Sequence, residues 1–259
     1  MKVSTFMNIM SFNIKNDSYF TINKWHKRKK AVLDIINKYR PDIIGIQELT
    51  DKQMKDFNTL DNYHIIGESR NKKLNVLNEK SAIAYDTSKY QLLDSKTIWL
   101  SKTPDVKGSK NMMAIFPRIC TFAKLKDKEG NIIHVFNTHL DHLFSFVRFD
   151  ECLHLAKFIK ENSTNNNVII MGDFNTNLKS KALGYLKNNL DLIDCYQNVL
   201  FHNTHHGFGN SISISHLPID YIFLSKNLKI ENTKIIDESI DNIYPSDHYP
   251  ILCQIKDEF

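Results

Sequence analysis

The amino-acid sequence predicts an α/β protein built from stacked β-sheets with helices packed outside them. Three observations carry this reading. Strand-like runs rich in β-branched and aromatic residues recur at 7–14, 43–47, 64–67, 81–85, 90–100, 119–125, 132–138, 168–171, 219–224 and 251–255. Some alternate between apolar and polar residues, while others are almost continuously apolar and must be covered on both faces. Helical periodicity interrupts the series in three places.

The first helix is predicted over 25–39, where Val32, Ile35, Ile36 and Tyr39 share one face and Pro41 stops the run. Lys24, Lys27, Arg28, Lys29 and Lys30 surround this helix and read as a solvated cationic surface rather than a phosphate-binding patch. A second helix sets Phe149, Cys152, Leu153, Ala156 and Ile159 on its inner side, and a shorter third spans 182–186. The polar stretches 71–79, 103–111 and 162–167 read as surface loops. None is long enough for a linker, so residues 1–259 are expected to form a single domain without internal repeats.

The chain carries 34 Lys and Arg against 29 Asp and Glu, a formal charge of +5. That permits an anionic substrate without demanding a protein that coats nucleic acid. Hydrophobic residues at 42% and charged residues at 24% exclude a disordered chain, a collagenous repeat and a disulfide-stapled miniprotein. Cys120, Cys152, Cys195 and Cys253 form no CxxC pair, which argues against a zinc knuckle. Cys120 and Cys253 stand in apolar alternating runs and read as buried thiols. No leader-like apolar segment opens the sequence, and no apolar run reaches about 18 residues. The expectation is a soluble, cytoplasmic monomer with no obligate protein partner.

The chemistry is concentrated where polar, acid-bearing clusters meet the most hydrophobic runs. These are Ser11-Phe12-Asn13, Ile46-Gln47-Glu48, Asn137 to Asp141, Met171 to Asn175, Ile219-Asp220-Tyr221-Ile222, and Ser246 to Pro250. The end of a core strand is a rigid place to hold a reacting group. A lone Asp-His pair or a lone GDxN is more often a satisfied hydrogen bond or a turn, so the weight lies in all six together.

Read as words, FNI (12–14), IQE (46–48), NTHLDH (137–142), GDFN (172–175), IDYIF (219–223) and SDHYP (246–250) resemble the endonuclease/exonuclease/phosphatase superfamily. IWLSKTP (98–104), PRICTFAKL (117–125) and THHGF (204–208) resemble a subtype of bacterial metal-dependent hydrolases. The resemblance implies a four-layer α/β sandwich, two mixed β-sheets face to face with helices on the outer faces. It also implies a phosphoester hydrolase dependent on Mg²⁺ or Mn²⁺, acting on nucleic acid or a small phosphorylated molecule. A phosphodiesterase of nuclease type is the first reading; a phosphomonoesterase on a phosphorylated metabolite or an inositol-type or lipid headgroup is the alternative. A catalytically silent binding module would have lost at least one of Glu48, His139, Asp173 and His248, and all four are present.

The roles implied by the resemblance are specific. Glu48 is the principal metal ligand, supported by Asn13; Asp247 completes that shell, orients His248, or does both. Asp173 holds the nucleophilic water or the leaving group, and Asn175 donates to a phosphate oxygen. Either Asp173 or the Asp220–His248 pair is the base. His139 contacts the scissile phosphate, with Glu79 in place to orient it. Arg118 is equally a phosphate contact or a structural ion pair, while Arg70 and Arg148 read as structural. His142 and His206 either line the pocket or lie on the surface, and His205 and His216 have no special claim. Phe144-Ser145-Phe146-Val147 replaces the small polar residues usual in the subtype and adds an apolar wall beside His142. A sphingomyelinase-like role is disfavoured, because no apolar membrane-inserting hairpin is visible.

Overall fold

The computed structural model describes residues 6–18, 22–72, 78–163, 167–197, 199–209 and 217–256. His216 and parts of two expected loops, 73–77 and 164–166, lie outside the described residues. The elements are β1 (Phe6–Asn13), α1 (Trp25–Tyr39), β2 (Ile43–Thr50), α2 (Asp51–Phe57), β3 (Tyr63–Ile66), β4 (Glu79–Asp86), β5 (Gln91–Trp99), β6 (Ile119–Lys126) and β7 (Ile132–His139). They continue with α3 (Ser145–Asn162), β8 (Val168–Asp173), α4 (Lys181–Asn189), β9 (Leu192–Asp194), β10 (Asp220–Ser225), β11 (Lys229–Ile235) and β12 (Ile251–Lys256).

The strands form two six-stranded sheets, ordered β11-β12-β1-β2-β4-β3 and β5-β6-β7-β8-β10-β9. Both are mixed. β1 runs parallel to β2 but antiparallel to β12, and β7 runs parallel to β8, which is antiparallel to β10. The sheets pack face to face, with β2 over β7 and β1 over β8. One apolar cluster fills the space between them and continues outward to Cys152, Leu155, Ile159, Leu183 and Leu186 of α3 and α4. A second cluster packs Val32, Ile35 and Ile36 of α1 and Phe57 of α2 against Phe12, Ile44 and Ile46 of the other sheet. The order of layers is therefore helices, sheet, sheet, helices, the four-layer α/β sandwich. All four cysteines are buried free thiols.

Local sequence explains the elements that position the functional residues. α1 ends at Arg40, whose left-handed backbone (φ 43°) sends its N–H back to Ile36 O, and Pro41 prevents continuation. α2 escapes periodicity because it is short; its Thr50–Gln53 capping box supplies what its length does not. β9, with three residues, and β11, largely exposed, carry no apolar run to announce them.

The solvated reading of the cationic helix fails at Arg28, which is 1% exposed. It occupies the apolar face of α1, one turn before Val32. Burial of a guanidinium is tolerated when its donors are satisfied, and Arg28 spends them on backbone carbonyls: Nε to Asn23 O (2.7 Å), Nη1 to Ile14 O (2.8 Å) and Pro245 O (2.6 Å), and Nη2 to Lys15 O (2.9 Å). Arg28 thereby clamps the segment after β1 to the segment that carries Asp247 and His248.

Candidate active site

Topology gathers the acid-bearing clusters at one edge of the sandwich. The C-terminal ends of β1, β2, β7 and β8 point there, and the antiparallel strands β10 and β12 begin there. Asp220 pairs with Asp173, and Asp173 with His139, in adjacent strands. Gly172 permits the close approach of β8 to β7, since a Cβ there would sit 2.2 Å from Thr138 O.

Glu48 lies in a β-bulge between Ile46 and Leu49 and has a left-handed backbone (φ 61°). Bulges re-aim a side chain, and non-glycine residues in this region cost free energy that neighbouring structure must offset. The offset is visible in the hydrogen bonds. Glu48 Oε2 accepts from Asn16 N (3.0 Å) and Asn16 Nδ2 (2.7 Å), and Oε1 accepts from Asn13 Nδ2 (3.2 Å). Lys15, also left-handed (φ 55°), places Nζ 3.1 Å from Asp247 Oδ2 and 3.9 Å from Glu48 Oε2.

The second half of the site converges on one oxygen. Asp173 Oδ2 accepts from Asn13 Nδ2 (3.0 Å) and lies 3.5 Å from His139 Nε2 and 3.6 Å from His248 Nε2. His248 Nδ1 pairs with Asp220 Oδ2 at 2.9 Å, and Thr204 Oγ1 donates to the same carboxylate oxygen at 2.6 Å. Asn175, in a left-handed conformation, donates its amide to Leu140 O and its backbone N–H to Asp173 Oδ1.

The charges follow from these neighbours. Burial drives His248 toward neutrality, but Asp220 and then Asp173 outweigh it and hold the ring up to about 10. Asp173 is pushed up to about 7 by burial and by the Asp220 charge. His139 is held well below the usual histidine range by burial and by Arg118 and Arg70. Asp247 is drawn down to about 2: burial opposes this, but His248 and Lys15 prevail.

A cleft of about 360 Å³ opens over this cluster, lined among others by Glu48, His139, Asp173, Asn175 and His248. Arg118 and His142 form its wall, linked by 3.2 Å between Nη2 and Nδ1. Arg118 is 5% exposed, and among the described residues no carboxylate pairs with it; its buried Nε has no hydrogen-bond partner.

Several expectations are placed differently. Glu79 does not orient His139: its carboxylate is held by Arg70 Nη1 (2.8 Å) and Asn16 Nδ2 (2.7 Å). Asn13 turns its NH₂ to Glu48 and Asp173, and its oxygen accepts the Lys15 N–H (3.1 Å), so it organises the acids instead of offering a free ligand oxygen. His206 does not line the cleft; it stacks on Tyr249 with ring centroids 4.0 Å apart. His205 does line it, with Nε2 3.8 Å from Asp247 Oδ2. Lys15, Asn16, Arg70 and Phe116 also line the cleft. Lys15 and Asn16 directly follow FNI, the one signal that marked them in the sequence.

The chemistry of the donor set fits a hard divalent cation. Glu48 and Asp247 offer carboxylate oxygens, the ligands such ions prefer, and the Lys15 ammonium lies where positive charge offsets both acids. Two mixed groups, His205–Asp247–His248 and Asp173–Asp220–His248, each bring their ligand atoms within 4.8 Å of one another.

The profile of the endonuclease/exonuclease/phosphatase family matches residues 10–248, nearly the whole chain. The chain belongs to this family. A solved endonuclease/exonuclease/phosphatase from Bacteroides vulgatus is 31% identical, with a TM-score of 0.89 over 97% of this chain and 98% of that one. A mannosyl-6-phosphatase of Bacteroides thetaiotaomicron VPI-5482 is 28% identical, with a TM-score of 0.86 over 96% and 99% of the two chains. A probable RNA exonuclease of Saccharomyces cerevisiae, NGL3, is 30% identical over 59% of this chain and 32% of its own length. Phosphoester hydrolysis is the common activity of these relatives, and the chain is an enzyme of this endonuclease/exonuclease/phosphatase class. No described helix is long and apolar enough to cross a membrane.

Proposed function

We propose that the protein is a divalent-metal-dependent phosphodiesterase. The observation that carries the reading is the single oxygen Asp173 Oδ2, approached by Asn13, His139 and His248 beneath a cleft walled by Arg118, which has no carboxylate partner among the described residues. Such a set binds an anion, orients a water and moves a proton.

The division of labour follows from the charge states. His248, protonated at neutral pH, is a donor to a phosphoryl oxygen and not a base. Asp173, near 7, takes the proton from the attacking water; a base with this affinity suits reaction near neutrality. Asp220 fixes the ring of His248 by accepting from its Nδ1. Arg118 binds the phosphate, and Asn175 and His139 line the same cleft wall. As water attacks phosphorus and the ester P–O bond breaks, Asp173 holds the water's proton and the leaving oxygen takes the proton carried by His248 Nε2. Glu48 and Asp247 would hold Mg²⁺ or Mn²⁺, which when bound supplies positive charge to the phosphoryl oxygens.

A phosphomonoesterase is the second reading, supported by the likeness to the mannosyl-6-phosphatase over nearly the full length of both chains. The purified protein is to be assayed on bis(p-nitrophenyl) phosphate and p-nitrophenyl phosphate with Mg²⁺, Mn²⁺ or EDTA. The expected result is faster turnover of the diester, abolished by EDTA and by His248→Ala. Preference for the monoester selects the second reading; no turnover of either substrate with metal overturns both.

A further inference from the structure

Two buried arginines line the cleft, and they are held in opposite ways. Arg70 is paired with a carboxylate, Nη1 lying 2.8 Å from Glu79 Oε2. The Arg118 guanidinium has no acid beside it among the described residues. Its Nη2 lies 3.2 Å from His142 Nδ1, and its buried Nε has no partner. Buried charges are ordinarily paired, so a guanidinium held by an imidazole alone keeps an uncompensated positive charge at the cleft wall.

The direction of this hydrogen bond is fixed by chemistry. Arginine has donors and no acceptor, so His142 Nδ1 accepts. The ring is therefore neutral and carries its proton on Nε2. The charged groups acting on it are Arg118 and Arg70, which oppose protonation, and Asp141 and Glu48, which favour it. Burial, then Arg118 and Arg70, hold His142 below the usual histidine range.

His142 is exposed, yet its backbone is pinned by the buried residue before it. Asp141 Oδ1 accepts from Leu143 N (2.9 Å) and Phe144 N (2.8 Å). The Asp141 N–H donates to Glu151 Oε2 (2.8 Å), and its carbonyl accepts from Arg148 Nη1 (3.0 Å). The face of the ring is held as well. Phe116 stacks on it with centroids 6.3 Å apart, and the Arg70 guanidinium lies 4.7 Å from the Phe116 centroid. A carboxylate at this place would satisfy the same donor, but it would also neutralise Arg118.

We propose that His142 is a positioning residue for Arg118: a neutral acceptor that orients the guanidinium and leaves its charge for an anionic substrate. The inference rests on the phosphoesterase reading and deepens it, naming what keeps the substrate-binding arginine both ordered and charged.

The test compares His142→Asn, His142→Asp and His142→Ala in the full chain. Asn and Asp are close in shape and both accept a hydrogen bond, but only Asp brings a charge. Because His142 is exposed, thermal unfolding is expected to be unchanged. KM for bis(p-nitrophenyl) phosphate should stay within about two-fold of the wild type in His142→Asn. It should rise roughly five-fold in His142→Ala and at least about ten-fold in His142→Asp, with kcat changing less. Dissociation constants for inorganic sulfate, measured by calorimetry, should follow the same order without turnover. Long-range proton–nitrogen NMR of the histidine-labelled chain should show His142 as the Nε2–H form at neutral pH, with a titration midpoint that rises in Arg118→Ala. Equal sulfate affinity in His142→Asn and His142→Asp overturns the proposal, as does His142→Asn no better than His142→Ala. An Nδ1–H form, a midpoint that Arg118→Ala leaves in place, or a wild type that binds no sulfate overturns it too. Absence of diester turnover with the sulfate order intact would count against the phosphoesterase reading alone.

Discussion

Gln47 and Asn137 join the two sheets: Gln47 Nε2 donates to Asn137 Oδ1 over 2.6 Å. The Asn137 amide returns hydrogen bonds to Ile46 O (3.1 Å) and Ala82 O (2.7 Å). One buried side chain of β7 thus satisfies groups of β2 and β4 beside the bulge that presents Glu48. Asn137→Leu removes all three hydrogen bonds; Gln47 Nε2 keeps Ser11 Oγ (3.3 Å) and Gly45 O (3.2 Å), and each buried group left unsatisfied costs about 1–3 kcal/mol. The denaturation midpoint and kcat should both fall, because Glu48 and His139 lose their common anchor. Stability within about 0.5 kcal/mol of the wild type would show that the bridge is dispensable.

Asp220→Asn keeps the shape of the His248 support but removes its charge. The ring then loses the neighbour that most favours its protonated form. Turnover is expected to drop by roughly 10²-fold or more, the usual worth of a positioned proton-transfer group, with KM little altered. Steady-state kinetics on the diester would decide; a pure KM effect would move Asp220 from the proton relay to substrate binding.

Arg118→Ala removes a guanidinium that has no carboxylate partner among the described residues. If it binds phosphate equally in ground and transition states, KM rises more than kcat falls. Loss of folding stability without any change in KM would instead identify a structural cation.

Glu151 is 1% exposed and accepts the Asp141 N–H at 2.8 Å. Burial pushes its carboxyl up to about 8 from an ordinary 4.5. Between these values the folded chain keeps a proton that the unfolded chain releases. The contribution of Glu151 to stability is therefore greatest below about pH 4.5 and declines up to about pH 8, by at most about 1.4 kcal/mol per pH unit. Glu151→Gln should flatten the decline between pH 5.5 and 7.5 in urea titrations. Parallel slopes for the two proteins would contradict the assignment.

The strands and the convergence of six motifs were legible because core strands announce themselves by apolar runs and the polar residues at their ends stand out. The elements that escaped lack that contrast: β11 is mostly exposed and β9 has three residues. Arg28 was hidden among neighbouring cations, although its i, i+4 relation to Val32 already placed it on the apolar face of α1. Partnerships were the least legible part. Nothing in local sequence reveals that Glu79 meets Arg70 and Asn16, or that His206 turns to Tyr249 while His205 faces the cleft. These choices depend on loop paths.

The reacting groups stand on strand ends in a packed interior, where even a Cβ added at Gly172 would meet Thr138 O at 2.2 Å. Phe116 and His142 of the cleft lining lie outside the strands, in segments fastened to each other by their own stacked rings and by Asn111 and Asp150. The reacting groups and this part of the cleft lining therefore occupy separable parts of the molecule. Exchanging segments 101–116 and 142–146 between relatives is the economical route to a new substrate range, with the hydrolytic apparatus left untouched.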